Sequence, residues 1–161
     1  MKPDNFIKKF NEIGIADVSI VGGKNSSLGE MFTQLSDKGI KVPNGFATTA
    51  SAFSYFLDYN DLKKSLQELM SELDRRNYSN LKEIGSKARQ ILLSAKMPTD
   101  LSEAIVQAYK ELCGKNYFEV AVRSSSTAED LPQASFAGQH EFYLNIEGVL
   151  ELINSVQNCF A

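Results

Sequence analysis

The segment from Val122 to Gln139, VRSSSTAEDLPQASFAGQ, combines an arginine, a run of hydroxyl side chains and a loop of small residues. Arg123 follows the alternating apolar residues Phe118, Val120 and Val122, which predict a strand that ends at the arginine. A guanidinium fixed at the end of a strand suits phosphate oxygens, because its planar fork donates two parallel hydrogen bonds. The alternative interpretation of these residues is a structural ion pair in a polar hairpin connection.

The small residues after Pro132 form a second chemical feature of this segment. Such a loop can lay its backbone amides across a polyphosphate, because no bulky side chain keeps the ligand away. We therefore expect a lid over a nucleotide, preceded by a helix start in the hydroxyl run 124–127. The loop residues assigned to nucleotide binding are Ser135, Phe136, Ala137, Gly138 and Gln139.

A glycine-glycine-lysine triplet that ends at Lys24 is a second candidate anion site. It lies between the run Asp17–Val21, interpreted as a short strand, and a segment with helical spacing. The first amides of that helix are expected to point outward as donors beside the lysine. The triplet is not a P-loop, since Val18 and Asn25 occupy the positions where that motif needs glycine and a hydroxyl residue. The alternative is a tight turn with a solvated lysine.

The single histidine, His140, could shuttle protons or carry a phosphoryl group. No carboxylate or nucleophile lies at motif spacing from it, so we interpret it as an ordinary loop or strand-edge residue. The sequence contains neither GxSxG nor HExxH, which disfavours hydrolases. Cys113 and Cys159 are far apart and lack metal-site spacing, which favours reduced cysteines within helices.

A mixed α/β domain must position these residues, with a small sheet covered by helices. The apolar patterns predict strands near 17–21, 46–49, 117–123 and 141–146. They predict helices near 24–38, 51–58, 61–74, 80–95, 99–113 and 148–160. Gly39 and Gly114 are expected to end helices, and Asp100 with Glu103 to form a capping box.

The composition limits the classes of function. The chain has 161 residues, 43% of them hydrophobic and 23% charged, as in ordinary globular domains. A net charge of −3 argues against a broad nucleic-acid surface. No apolar run approaches the ~20 residues of a membrane span, and no secretory signal pattern is present. We expect a cytoplasmic protein without membrane partners, and a partial domain, because an apolar helix pattern still runs at Ala161.

Three segments carry a family resemblance: VGGKNSSLGEM, VPNGFATT and VAVRSSSTAEDLPQASFAGQHEFYLNI, in this order. They resemble the N-terminal part of the phosphoenolpyruvate synthase family. The wider group includes pyruvate phosphate dikinase, rifampicin phosphotransferase and the glucan water dikinases. The resemblance implies that residues 1–161 form one partial domain, the N-terminal lobe of an ATP-grasp-like nucleotide-binding domain.

The resemblance also implies a reaction and roles for residues. In the family, ATP binds with Mg²⁺, the β-phosphoryl group passes to a histidine on a swivelling domain, and a barrel domain phosphorylates pyruvate. Lys24 and Arg123 match family residues that contact ATP phosphates, and the loop around Gly138 covers the nucleotide. His140 does not match the phosphocarrier histidine. The metal ligands and the other domains are expected outside this chain, so the chain alone is expected to be inactive.

One departure from the family pattern concerns Phe142, where relatives usually carry a threonine whose hydroxyl lies near the nucleotide. Two alternative functions stay open: the lobe of a rifampicin-type phosphotransferase, or a stand-alone nucleotide-binding module. The loop ASFAGQHEF disfavours pyruvate phosphate dikinase itself, whose corresponding loop is rich in methionine.

Overall fold

Short strands and longer helices make up the computed structural model, which describes residues 5–127 and 142–161. The strands are β1 (Ile7–Lys9), β2 (Phe46–Thr48), β3 (Val120–Arg123) and β4 (Phe142–Ile146). The α-helices are α1 (Val18–Val21), α2 (Gly23–Leu35), α3 (Ala50–Tyr59), α4 (Leu62–Ser71), α5 (Leu81–Ser94), α6 (Thr99–Cys113) and α7 (Val149–Phe160). Single 3-10 turns cover Phe10–Glu12, Ile15–Asp17 and Ser36–Lys38.

The strands form two separate antiparallel pairs. β1 pairs with β2, and β3 pairs with β4 with an irregularity between Val120 and Val122. The mixed α/β class is confirmed, but the expectation of one small sheet is wrong for the described residues. Strand pairing depends on contacts between distant parts of the chain, which the local apolar pattern does not encode.

Residues 17–21 are helical, so the predicted strand there is wrong. The amide of Gly14 donates to the Asp17 carboxylate at 2.9 Å, and the Asp17 amide donates back to the Gly14 carbonyl at 2.9 Å. This reciprocal pair starts the 3-10 turn that continues into α1. An apolar run of this length fits a helical turn as well as a strand, because periodicity needs a longer window.

The predicted helices are confirmed as α2 to α7, and their ends follow local chemistry. Gly39, with a φ of 77°, ends the 3-10 turn that continues from α2, and Gly114, with a φ of 67°, ends α6 as expected. The predicted capping box at Asp100 is wrong, because α6 begins after Pro98 and no side chain caps it. The Asp100 carboxylate instead accepts a hydrogen bond from the Tyr55 hydroxyl at 3.0 Å.

Strand β1 was not predicted from the sequence. Its three residues are held by β2, and the flanking bonds run from the Phe10 amide to the Gly45 carbonyl and from the Thr49 amide to the Phe6 carbonyl, both at 3.0 Å. Thr49 also caps α3, because its side chain accepts from the Ala52 amide at 3.1 Å. The N-terminal strand therefore fixes the start of α3.

Two hydrophobic clusters stabilise the fold. The larger cluster lies among α3, α5, α6 and α7 around the fully buried Phe56 and Tyr109. The Tyr109 hydroxyl donates to the Phe118 carbonyl at 2.9 Å, and burial raises the pKa of this phenol. The smaller cluster joins α1 to β2 and comprises Phe10, Ile13, Val21 and Ala47. Within the described ranges, no helix has both the length and the apolar character of a membrane span.

Candidate functional site

The first turn of α2 docks onto the segment that follows β3. The Gly23 amide donates to the Ser126 carbonyl at 3.1 Å, and the Asn25 amide donates to the Ser125 hydroxyl at 3.3 Å. These two amides were expected to point outward as donors for an anion, and that expectation is wrong. A helix start satisfies its exposed amides with whatever acceptor folding brings close, and here the acceptor is the chain itself.

Gly22 makes this docking possible. Its φ of 80° and ψ of 164° lie where L-residues are strongly disfavoured. A Cβ at this position would lie 2.6 Å from the carbonyl carbon of Ser125, well inside van der Waals contact. The glycine therefore permits close approach of backbone to backbone, where the sequence had suggested close approach to a ligand.

Lys24 lies beside the chain that leaves Arg123. Its Nζ donates to the Ser124 carbonyl at 3.5 Å, across a separation of 100 residues in sequence. The side chain is half-buried. Folding thus brings together the two segments that sequence reasoning singled out, although they lie at opposite ends of the chain.

Arg123 is the last residue of β3, is exposed, and borders a cavity of about 860 Å³. Part of its lining, called the polar end below, is formed by Arg123, by the serines and Thr127 after it, and by Asn25, whose amide binds Ser125. Phe46, Leu152 and Phe160 are among the apolar residues that border the cavity. Lys24 is not among the described residues that border the cavity, but its Nζ contacts the carbonyl of Ser124, which belongs to the polar end.

The polar end has the chemistry of an anion site. A guanidinium and several hydroxyls offer hydrogen-bond donors, and a lysine adds a second positive charge within the same structural unit. The described residues contain no group of three or more histidine, cysteine or acidic side chains arranged to hold a metal ion. The guanidinium and the hydroxyls are donors that suit phosphate oxygens.

Phe142 lies directly across the β3–β4 pair from Arg123. Its side chain is 62% exposed, an unusual position for a large apolar ring. The predicted loop residues Ser135 to Gln139, and His140, lie outside the residues that the structure describes.

Sequence reasoning missed the role of Asn25. Its side-chain amide donates to the Val21 carbonyl at 2.9 Å, which ties the end of α1 to the start of α2 while its backbone amide binds Ser125. An asparagine directly after the lysine of a glycine-glycine-lysine turn was a usable signal, since asparagine often bonds to nearby backbone. The partner segment at 124–126 was not deducible from this turn alone.

The chain matches the family described as "Pyruvate phosphate dikinase, AMP/ATP-binding domain" over residues 18–161. The chain belongs to this family. The match covers both the α2 start and the segment after β3, so the docked elements described above lie within a nucleotide-binding domain of the pyruvate phosphate dikinase type.

Individual relatives of this family member are phosphoenolpyruvate synthases, which confirms the resemblance found in the sequence. The identity is 49% over 159 residues to the synthase of Synechocystis sp., 45% over 154 residues to that of Aquifex aeolicus, and 44% over 153 residues to that of Escherichia coli. Each alignment covers 94% of this chain but only 18% or 19% of the relative. The chain therefore spans about a fifth of the length of the curated relatives it matches.

Proposed function

We propose that this chain is the N-terminal, phosphate-binding lobe of an ATP-grasp-like nucleotide-binding domain in a phosphoenolpyruvate synthase. In this proposal residues 1–161 form one partial domain, and Arg123 and Lys24 bind the phosphates of ATP. The observation that carries the proposal is the docking of α2 onto residues 124–126. This docking positions a lysine beside the residue that follows an exposed arginine at the polar end of a cavity.

The two cations have different tasks. The guanidinium of Arg123 can grip two phosphate oxygens at once, which orients the phosphate. Lys24 is a compact charge on a flexible stem, and its 3.5 Å contact with the Ser124 carbonyl is long for a hydrogen bond. A phosphate oxygen would give this ammonium a shorter, charge-assisted bond than its contact with the Ser124 carbonyl. Binding of ATP would therefore draw the ammonium past the serine segment toward the nucleotide.

Magnesium does not fit the described part of this lobe. Mg²⁺ binds ATP in proteins through carboxylates and phosphate oxygens, whereas the polar end of the cavity offers cations and hydroxyls. We infer that the carboxylate ligands lie in a second lobe, within the part of the longer protein that this chain does not cover.

In the complete protein the proposed reaction converts ATP, pyruvate and water into AMP, phosphoenolpyruvate and phosphate. The β-phosphoryl group passes through a histidine on another domain, and water takes the γ-phosphate. Phosphoryl transfer depends on positioning and on charge stabilisation from several sides. One lobe with two cations does not provide that, so the chain alone is expected to be inactive. Pyruvate as the acceptor rests on the names of the relatives.

This lobe carries Phe142 at the position where the resembling family usually has a threonine. The ring faces solvent directly opposite Arg123 and offers no hydrogen bond to a phosphate. We expect the arginine to provide more of the phosphate affinity here than it does where a hydroxyl assists it.

Titration of the isotope-labelled chain with Mg-ATP, followed by NMR, tests the proposal. We expect weak binding, in the millimolar range of dissociation constant, which corresponds to only about −4 kcal/mol. The shifted amides should cluster at residues 22–25 and 123–127. Arg123→Gln should abolish these shifts, because it removes the charge and the paired donors while keeping a polar side chain.

The matched control is Arg89→Gln, which removes the same charge from an exposed position on α5. This variant should bind Mg-ATP as the wild type does. Micromolar affinity of the wild type would contradict the partial-site proposal, and an equal loss in both variants would show that only general charge is involved.

A further inference from the structure

The hydrogen-bonding edges of β2 and β3 face the cavity. The residues that border it include the uninterrupted runs 43–50 and 118–127, which contain all of β2 and all of β3. A strand that turns one face to a cavity contributes alternate residues, because successive side chains point to opposite sides. Uninterrupted runs therefore mean that the backbone edges of β2 and β3 face the cavity.

The hydrogen-bond pattern of β2 agrees with this geometry. The Phe6–Thr49 and Phe10–Gly45 pairs are hydrogen-bonded, so the backbone N–H and C=O groups of Thr49 and Gly45 point toward β1. Antiparallel pairs alternate between bonded and non-bonded positions. The backbone groups of Ala47 therefore also point toward β1, whereas those of Phe46 and Thr48 point away from it. Within the described residues, no third strand pairs with the outer edge of β2 or of β3.

The cavity therefore separates two half-sheets. The partner strands β1 and β4 contribute no residue to its lining among those described. A strand residue in a packed sheet fills roughly 160 Å³, from a rise of ~3.3 Å, a strand spacing of ~4.8 Å and a sheet spacing of ~10 Å. A cavity of about 860 Å³ therefore has room for a strand of about three residues, roughly 480 Å³, with its polar end left open.

We propose that an extended segment of the same polypeptide, from beyond residue 161, enters this cavity and pairs with β2 and β3, joining the two half-sheets. The relatives are about five times as long as this chain, so a longer polypeptide supplies ample sequence. Phe160 borders the cavity and packs on Phe53 and Phe56 at centroid distances of 5.2 and 5.4 Å, so the end of α7 lies beside the cavity.

The apolar walls fit such an occupant. Phe46 and Val120 border the cavity and are only partly buried, so an inserted strand would bury them further while satisfying the edge amides. This strand pairing is separate from nucleotide binding, because Arg123 and Asn25 belong to the polar end of the cavity, which the segment leaves unoccupied. The segment completes the sheet of the lobe without entering the proposed phosphate site.

Hydrogen exchange without nucleotide tests this pairing. The backbone amides of Phe46 and Thr48 are compared in the 161-residue chain and in the polypeptide encoded by the complete gene. We expect at least ~100-fold slower exchange of these amides in the longer protein, because they become ladder hydrogen bonds. The amide of Ala47, which already points toward β1, serves as the internal reference and should change much less. Equal rates for Phe46 and Thr48 in both proteins would overturn the proposal.

The two cysteines give an independent measurement. Neither is in a disulfide and both are half-buried, but only Cys159 borders the cavity. N-ethylmaleimide should label Cys159 at least ~10-fold more slowly in the longer protein, while the labelling of Cys113 stays within a factor of two. If the edge amides of the 161-residue chain instead become protected as its concentration rises, a second copy fills the cavity and the proposal is wrong. Because no nucleotide is present, these outcomes do not depend on the proposed ATP binding.

Discussion

At the residue scale, Gly22 connects the fold to the site. Replacing Gly22 with alanine should destabilise the chain, because a non-glycine residue in this backbone region costs ~1–3 kcal/mol. The new Cβ would also overlap the Ser125 backbone, which cannot retreat without breaking the Gly23 and Asn25 hydrogen bonds. We expect a loss of at least about 2 kcal/mol in the free energy of unfolding, measured by urea denaturation.

Gly148→Ala is the matched control for this prediction. Gly148 has nearly the same backbone conformation, with a φ of 90° and a ψ of 160°, but a Cβ there would meet no atom within 4 Å. Its loss should be smaller than that of Gly22→Ala, because only the ~1–3 kcal/mol cost of the backbone conformation applies. Equal losses in the two variants would show that the contact with Ser125 adds nothing.

Individual residues also show what could and could not be predicted from the sequence. The position of Arg123 at the end of a strand was correct, because a strand that ends in a polar residue has a clear local signature. The expectation of outward amides at the start of α2 was wrong, because their acceptors, Ser125 and Ser126, lie about 100 residues away. A local motif specifies which donors exist, and the fold decides what accepts from them.

At the element scale, Gln157 joins α7 to the end of α5. Its side-chain nitrogen lies 3.1, 3.2 and 2.8 Å from the carbonyls of Leu92, Leu93 and Ala95. A helix leaves its last carbonyls without partners, and this amide satisfies them. Gln157→Leu should therefore lower the free energy of unfolding by ~1–3 kcal/mol, the cost of unsatisfied polar groups, as measured by urea denaturation.

Two further variants separate this effect from side-chain burial. Gln157→Glu keeps the shape but presents carboxylate oxygens to carbonyl oxygens, so it should destabilise at neutral pH at least as much as leucine does. Asn158→Leu makes a comparable amide-to-leucine change on the exposed side of α7 and should alter stability by no more than ~0.5 kcal/mol. If Gln157→Leu and Asn158→Leu behaved alike, the contact with α5 would be unimportant.

All of the long elements were predicted correctly, and so were the short strands β2, β3 and β4. Helices α2 to α7 each span ten residues or more, so an apolar face repeats several times and identifies them. The errors fall on short runs: β1 has three residues and 17–21 has five, too few for a period to appear. Pairing with β2 created β1, and the carboxylate of Asp17 favoured a helical turn, so distant or side-chain contacts decided both.

At the scale of the whole molecule, an ion pair connects β1 to α6. Lys9 in β1 lies 2.8 Å from the Glu111 carboxylate in α6. Hydrogen bonds from Lys9 and Gln107 hold the pKa of Glu111 below its ordinary value of 4.5. A hydrogen bond from Lys87 lowers the pKa of Glu83 in the same way.

Lowered carboxylate pKa values set the direction of the response to acid. The unfolded chain takes up protons on these glutamates at a higher pH than the folded chain does. The stabilisation is therefore fully present above pH 4.5 and is lost as the pH falls through the lower folded values. Urea midpoints should be nearly constant from pH 7 to pH 5 and should fall below pH 4.5.

Glu111→Gln tests this assignment, because glutamine resembles the protonated glutamate. The variant should be less stable than the wild type at pH 7, and the two urea midpoints should converge as the pH falls toward 3. Glu103→Gln, on an exposed position of the same helix, is the control and should follow the wild-type curve closely. Because both partners of the Lys9–Glu111 pair are about half exposed, added salt should shrink the difference at pH 7. If the curves of wild type and Glu111→Gln instead stayed parallel down to pH 3, the pKa of this carboxylate would be the same in the folded and unfolded states. The contact between β1 and α6 would then depend on apolar packing alone.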